Sequence, residues 1–180
     1  MITQDELMAA LPHMRAAPRD DAPITSLCLR PDYGQRSYPD RIIMTRAQGV
    51  PGERWTTAPW MRLADGSPDP RIQISILPLR MLDLVWQPGD AAPHPGDPIV
   101  ADMNMCLENL PTGSLIRAGT AILRVSDVWN DACVKWKTRY GQPAHDFVRH
   151  APELRLRGVL CESIQDGEVA VGEHLQVISR

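Results

Sequence analysis

The stretch Leu115-Ile116-Arg117-Ala118-Gly119-Thr120-Ala121-Ile122-Leu123-Arg124-Val125-Ser126 decides the fold class. Two short alternating runs flank Ala118-Gly119, a pattern that predicts a β-hairpin. Ala121, Leu123 and Val125 fall on one face, with Arg124 and Ser126 on the other. The same period of two recurs at 72–77, where Ile72, Ile74 and Ile76 alternate with Gln73, Ser75 and Leu77. It also marks Ile24–Leu29, Arg41–Thr45, Leu154–Ile164, Glu168–Val171 and His174–Ile178. Seven or more short strands must hide their edges, so the reading is a mainly β protein: a partly closed antiparallel β-barrel with a few short helices.

The helical signals are few. Thr3 and Glu6 form a capping box ahead of Leu7, Leu11 and Met14, which predicts a helix over 3–15 limited by Pro12. Residues 1–21 are read as an N-terminal helical extension and 22–180 as the barrel domain. Leu79–Val85 suggests a turn or two of helix, and residues 130–150 a longer one interrupted at Gly141 and Pro143. The proline- and glycine-rich run 87–98 reads as a loop.

Composition narrows the function classes. With 180 residues, a net charge of -3 and no basic excess, the chain is not a dedicated nucleic-acid binder. It has no apolar run long enough to span a membrane, and its acidic start is unlike a secretory signal. The expectation is a cytoplasmic protein. There are 17 prolines, one Phe and five Trp, so many stiff turns connect elements whose core is mostly aliphatic. Cys28, Cys106, Cys133 and Cys161 stand far apart, and neither they nor the five histidines have the close pairing of a zinc site. Phosphate-loop, dinucleotide and serine-elbow signatures are missing.

Cys133 has the most chemically suggestive surroundings. Asn130 or Asp131 as N-cap would place it at the second or third helical position, where backbone N–H groups and the helix dipole favour a thiolate. Lys135, Lys137 and Arg139 follow within two turns. A buried cysteine beside a solvated basic face explains the same residues equally well. For Cys161, within Arg157-Gly158-Val159-Leu160-Cys161, burial in a strand is the better reading, on a face shared with Arg155 and Arg157 if the strand is regular.

Several segments, in consistent order over roughly residues 40–178, resemble the MOSC domain, the C-terminal part of molybdenum cofactor sulfurases. Gly52-Glu53-Arg54-Trp55 stands where that family has glycine, acid, arginine and histidine. Ile72–Leu77 follows as the strand, then Leu110-Pro111-Thr112-Gly113 and the hairpin quoted above. Cys133 and Lys135 match the family's cysteine and following lysine, and Arg157-Gly158-Val159, Gly167-Glu168-Val169 and Gly172-Glu173 match its closing segments. Glu53 stands for the usual aspartate and Trp55 for the usual histidine, which puts any proton-transfer role of that histidine in doubt here.

The resemblance implies a barrel whose cysteine faces a cleft, and there carries sulfur or ligates the molybdenum of a pterin cofactor. Stand-alone relatives include molybdenum-dependent reductases of N-hydroxylated compounds. The site residues implied are Cys133 as catalytic residue and molybdenum ligand, with Arg54, Lys135, Glu53 and Arg157 holding the cofactor. Partners implied are the pterin, a sulfur donor or acceptor protein, and a redox partner. Pyridoxal phosphate is not expected, because the chain is too short to contain the larger sulfurases' aminotransferase-like half. The alternative is a non-catalytic MOSC-like barrel that binds a partner protein or a small anion.

Overall fold

The computed structural model describes residues 2–180. Nine strands carry the fold: β1 (Ala22–Leu27), β2 (Arg41–Met44), β3 (Ile74–Pro78), β4 (Ile99–Ala101), β5 (Leu115–Ala118), β6 (Ala121–Val125), β7 (Val159–Gln165), β8 (Gly167–Ala170) and β9 (His174–Ser179). Seven of them close a barrel in the order β1-β4-β3-β7-β6-β5-β9, and β2 pairs with β8 as a small separate sheet. The predicted hairpin is β5–β6, in register Ala118 to Ala121 through Leu115 to Arg124. Ala121, Leu123 and Val125 are buried in the barrel core, as their alternation requires.

Closure is complete, because β1 returns to β9 through Ala22–Leu175 and Pro23–His174. The sheet is not wholly antiparallel: β3 and β4 run parallel, pairing Ile76 with Ile99 and Leu77 with Val100. A parallel neighbour needs a crossover. Helix α3 (Leu79–Val85) and the loop 87–98 supply it. This pair is buried on both faces. Ile74, Ile76, Ile99 and Ala101 point into the barrel, while Leu77 and Val100 meet a second core outside it.

Helices build that second core. The N-terminal extension is two short helices, α1 (Gln4–Ala9), with the Thr3–Glu6 capping box formed, and α2 (Leu11–Arg15), with Pro12 in its first turn. Helix α4 (Val134–His150) turns sharply at Gly141 (φ 93) and presents Trp136, Tyr140, Ala144, Phe147 and Val148 inward. These residues meet Leu7 and Met14 of the extension and Met81 and Leu82 of α3. No helix among the described residues is long and apolar enough to cross a membrane.

Two strand starts differ from the sequence reading. Pro70–Ile72 is a 3-10 turn whose Arg71 N–H is met by the Asp69 carboxylate, so β3 begins only at Ile74. Pro152–Leu154 is a second such turn, and Arg155 adopts a left-handed conformation (φ 47), so β7 begins at Val159. Cys161 therefore faces the barrel core, and it shares no strand face with Arg155 or Arg157.

Gly158 enters β7 with φ 88, and a Cβ there would lie 1.9 Å from the Ile76 carbonyl oxygen of β3. Neither backbone can retreat without breaking the β3–β7 pairing. Gly158→Ala is expected to cost about 3–5 kcal/mol in urea unfolding, combining left-handed strain with a backbone clash. A loss below about 1 kcal/mol would show that the β3–β7 junction yields instead.

Candidate functional site

Four segments converge beside the first turn of α4: the end of β1 with the following loop, the turn 50–58, the loop 93–98, and Arg157 ahead of β7. The turn 50–58 is organised by its two buried members. Trp55 donates its indole N–H to the Asp69 carbonyl at 3.0 Å. The Glu53 side chain, 1% exposed, ion-pairs with Arg30 at 3.0 Å and also accepts the Arg30 backbone N–H. Arg54 lies between these anchors and is turned outward.

Arg54 and Lys135 meet on one ring. The guanidinium carbon of Arg54 lies 3.7 Å, and the Lys135 ammonium 4.8 Å, from the centre of the exposed Tyr33 ring. Three nearby carboxylates are already taken, Glu53 by Arg30, Asp97 by Arg157 and Asp131 by Arg149, and Asp32 accepts the Tyr33 backbone N–H. Among the described residues Arg54 and Lys135 have no carboxylate partner. Two cations held close over an aromatic ring, with no anion between them, form a place where an anion lowers the energy.

Cys133 lies two residues before Lys135 and is the one exposed cysteine of the four. It is the N-cap of α4 and not its second or third residue, because Ala132 adopts a left-handed conformation (φ 63) that keeps residues 131 and 132 out of the helix. The straight helix behind it ends at Gly141, so the dipole it meets belongs to about two turns. Cys28 and Cys161 are buried, and burial pushes both thiols up to about 12. Cys106 is half-buried.

Arg157 and Glu53 stand beneath this face. The Arg157 guanidinium ion-pairs with Asp97 at 2.8 Å and stacks 4.6 Å from the Trp136 ring centre. Burial opposes the charge of Asp97, but Arg157 outweighs it and holds the carboxyl below the ordinary carboxylate range. Through Trp136, whose backbone N–H donates to the Cys133 carbonyl at 2.9 Å, this pair supports the turn that carries Cys133 and Lys135. Arg54 and Lys135 thus share the Tyr33 ring, and the exposed Cys133 precedes Lys135 by two residues at the N-cap of α4, while Glu53 and Arg157 are committed to ion pairs.

The sequence reading did not find Tyr33, Arg30 or the loop residues His94 and Asp97. Tyr33 lies in a turn-rich segment with no local pattern, and only tertiary contact gives it meaning. His94 is 2% exposed, its ring edge-on to Tyr38 and Trp86 at 5.6 and 5.0 Å. No cluster of three or more His, Cys, Asp or Glu able to hold a metal occurs among the described residues. A cavity of about 380 Å³ lined by Cys106, Leu107, Glu108, Glu153 and Leu154 shares no residue with this face.

No protein-family model and no curated protein matches the chain. Solved structures do. The YuaD protein from Bacillus subtilis superposes with a TM-score of 0.64 at 22% identity, over 88% of this chain and 96% of that one. YiiM from Escherichia coli gives 0.57 at 16% identity, over 89% and 70%, and YiiM from Geobacillus stearothermophilus 0.55 at 14%, over 88% and 76%. At these identities the likeness shows a shared fold.

His94 makes stability pH-dependent. Burial pushes its imidazole down to about 4, and Arg36, Arg157 and Arg139 act in the same direction against Asp97. The unfolded chain therefore binds a proton there that the folded one refuses. This contribution is complete above about pH 6.5 and is lost as pH falls toward 4, amounting to about 3 kcal/mol. His94→Asn should lose about 2–3 kcal/mol less than the wild type when urea unfolding at about pH 7 is compared with about pH 4. Equal losses in both proteins would remove His94 as the cause.

Proposed function

We propose that the face around Cys133 binds an anionic cofactor through Arg54 and Lys135 and engages its reactive centre through the cysteine. The group best suited is the molybdenum-bearing pterin that the MOSC resemblance implies. The carrying observation is the pair of unpartnered cations on Tyr33 beside the exposed thiol. The closed barrel shared with YuaD and YiiM agrees with a MOSC-like fold.

The residues present suit such a group. A thiolate is a soft ligand for a high-valent metal and also the nucleophile needed to carry sulfur. Arg54 offers a planar fork and Lys135 a point charge, the two modes of holding a phosphate. Bound there, the cofactor would supply two-electron redox chemistry at its metal, and the substrate class the resemblance implies is N-hydroxylated compounds. Cys133 would hold the metal or a sulfur atom. Glu53, by fixing Arg30, keeps the turn that presents Arg54, and Arg157 steadies the first turn of α4 through Trp136.

A second reading has its own observation. Trp55, where the MOSC histidine is usual, is buried and spends its N–H on the Asp69 carbonyl. That position has become a structural wedge, which favours a barrel that binds a small anion or partner protein without proton transfer.

Two measurements separate these readings. Iodoacetamide labelling of the native protein, read for each cysteine by mass spectrometry, should modify Cys133 first and leave Cys28 and Cys161 untouched. Faster labelling of Cys28 or Cys161, or an inert Cys133, ends both the sulfur-carrier and the metal-ligand readings. Protein purified from a molybdenum-replete host should carry molybdenum together with pterin fluorescence. Arg54→Ala or Lys135→Ala should lower cofactor retention by about ten- to a hundredfold, the loss of one charge-assisted contact. Neither metal nor pterin on the wild type would favour the second reading.

A further inference from the structure

Arg36 and Arg139 are two further cations without a carboxylate partner among the described residues. Both reach the turn ahead of β4, at consecutive carbonyls. The His94 carbonyl accepts from Arg36 Nε at 3.2 Å and the Pro95 carbonyl from Arg139 Nη1 at 3.4 Å. Consecutive residues stand about 3.8 Å apart along the chain, so the two guanidiniums are neighbours. Gly96 makes room for one of them, since a Cβ there would lie 2.8 Å from Arg36 Nε. Arg36 Nη1 also donates to the Gln35 carbonyl at 2.7 Å. Arg36 Nη2 and Arg139 Nε and Nη2 donate to no protein acceptor among the described residues, and both side chains are only half-buried.

The charges around them leave this pair unmatched. Glu53 is held by Arg30 and Asp97 by Arg157, while Asp32 accepts the Tyr33 backbone N–H. Burial, and then the Arg139 and Arg30 guanidiniums, push Arg36 below the ordinary guanidinium value. Like charges kept together away from bulk water carry a cost that an anion relieves. The pair is also joined to the one described above. Lys135 and Arg139 are four residues apart in the straight part of α4, before the break at Gly141, so they are neighbours on one helix face, about 5–6 Å apart at Cβ. Tyr33, on which Arg54 and Lys135 meet, is three residues from Arg36 in the same turn.

We propose that Arg36 and Arg139 form a second anion-holding point that continues the Arg54–Lys135 pair along α4, so that this surface takes a ligand with two linked anionic groups, a diphosphate. The first point is the anion site already inferred at Arg54 and Lys135, and the second deepens that reading by naming the group it selects. A monophosphate satisfies one pair and leaves the other repelling itself. Two phosphoryl groups sharing a bridging oxygen reach side chains one helical turn apart, and the forked donors left on Arg36 and Arg139 suit phosphoryl oxygens.

Inorganic pyrophosphate and inorganic phosphate are the probes, titrated into the full chain by calorimetry at constant ionic strength. Pyrophosphate should bind at least about tenfold more tightly, and Arg36→Gln or Arg139→Gln should remove about tenfold of its affinity, the loss of one charge-assisted contact. Lys137→Gln removes the same charge two residues from Lys135, on another side of the helix, and should keep the preference. Methyl diphosphate, run alongside, tells an esterified ligand from the free ion by whether the affinity that depends on Arg36 and Arg139 is kept or lost. Should the Gln variants fail to fold, the side-chain Nε signals of Arg36 and Arg139 in the wild type decide, since pyrophosphate should shift them saturably. Signals that do not move, or an equal loss in Lys137→Gln, overturn the second point. Equal binding of phosphate and pyrophosphate, both weakened by Arg54→Gln, overturns it and leaves the Arg54–Lys135 reading standing. Binding untouched by Arg54→Gln overturns both.

Discussion

The buried ion pair between Asp97 and Arg157 is the constraint on which the face around Cys133 depends. Asp97 belongs to the crossover that makes β3 and β4 parallel, and Arg157 to the approach to β7. At 2.8 Å, with one carboxylate almost wholly out of water, the pair is expensive to bury and far more expensive to break. Its specificity value is clear from what it joins. The guanidinium lies on Trp136 and the Arg157 carbonyl accepts from Asn130, so the segment before α4 and its first turn are both keyed to the crossover. Remove the pair and the barrel keeps its strands, while Cys133 and Lys135 lose their frame.

The barrel was largely readable from the period of two, since a half-buried strand must alternate and the β5–β6 hairpin does so without exception. The reading failed where burial is two-sided. Strand β4 is only Ile99–Ala101, with no polar residue to mark a face, and parallel pairing leaves no local signature. It also failed where a strand is preceded by a 3-10 turn, because Ile72 and Leu154 continue an apolar rhythm that the backbone does not follow.

For the site, what was legible was chemical type and what was hidden was partnership. Cys133, Arg54 and Lys135 were found by their neighbours in sequence and by motif order, and the fold brings Arg54 and Lys135 to one ring. Glu53 and Arg157 looked like further contact residues, yet each is bound to an opposite charge that lies 23 and 60 positions away in sequence. No pattern of spacing announces such a partner. The same holds for Tyr33, a solitary aromatic in a turn whose importance is that two cations share it. Burial likewise sorts the four cysteines, which composition treats alike: Cys28 and Cys161 behave as small apolar side chains, Cys106 is half-buried, and Cys133 is exposed.

The barrel is sealed by pairing Ala22 and Pro23 with Leu175 and His174, strands from opposite ends of the sequence. During synthesis β1 is made before either of its partners, and seven strands separate it from β9. Its other neighbour, β4, comes only after the β3 crossover has been made. The nascent chain thus carries β1 unpaired until β4 and then β9 have been made, the condition under which strands find wrong partners. Pro23, within β1, denies a donor along that waiting edge. A residue type that stiffens the loops of the finished protein thus also guards, at this one position, the unfinished one.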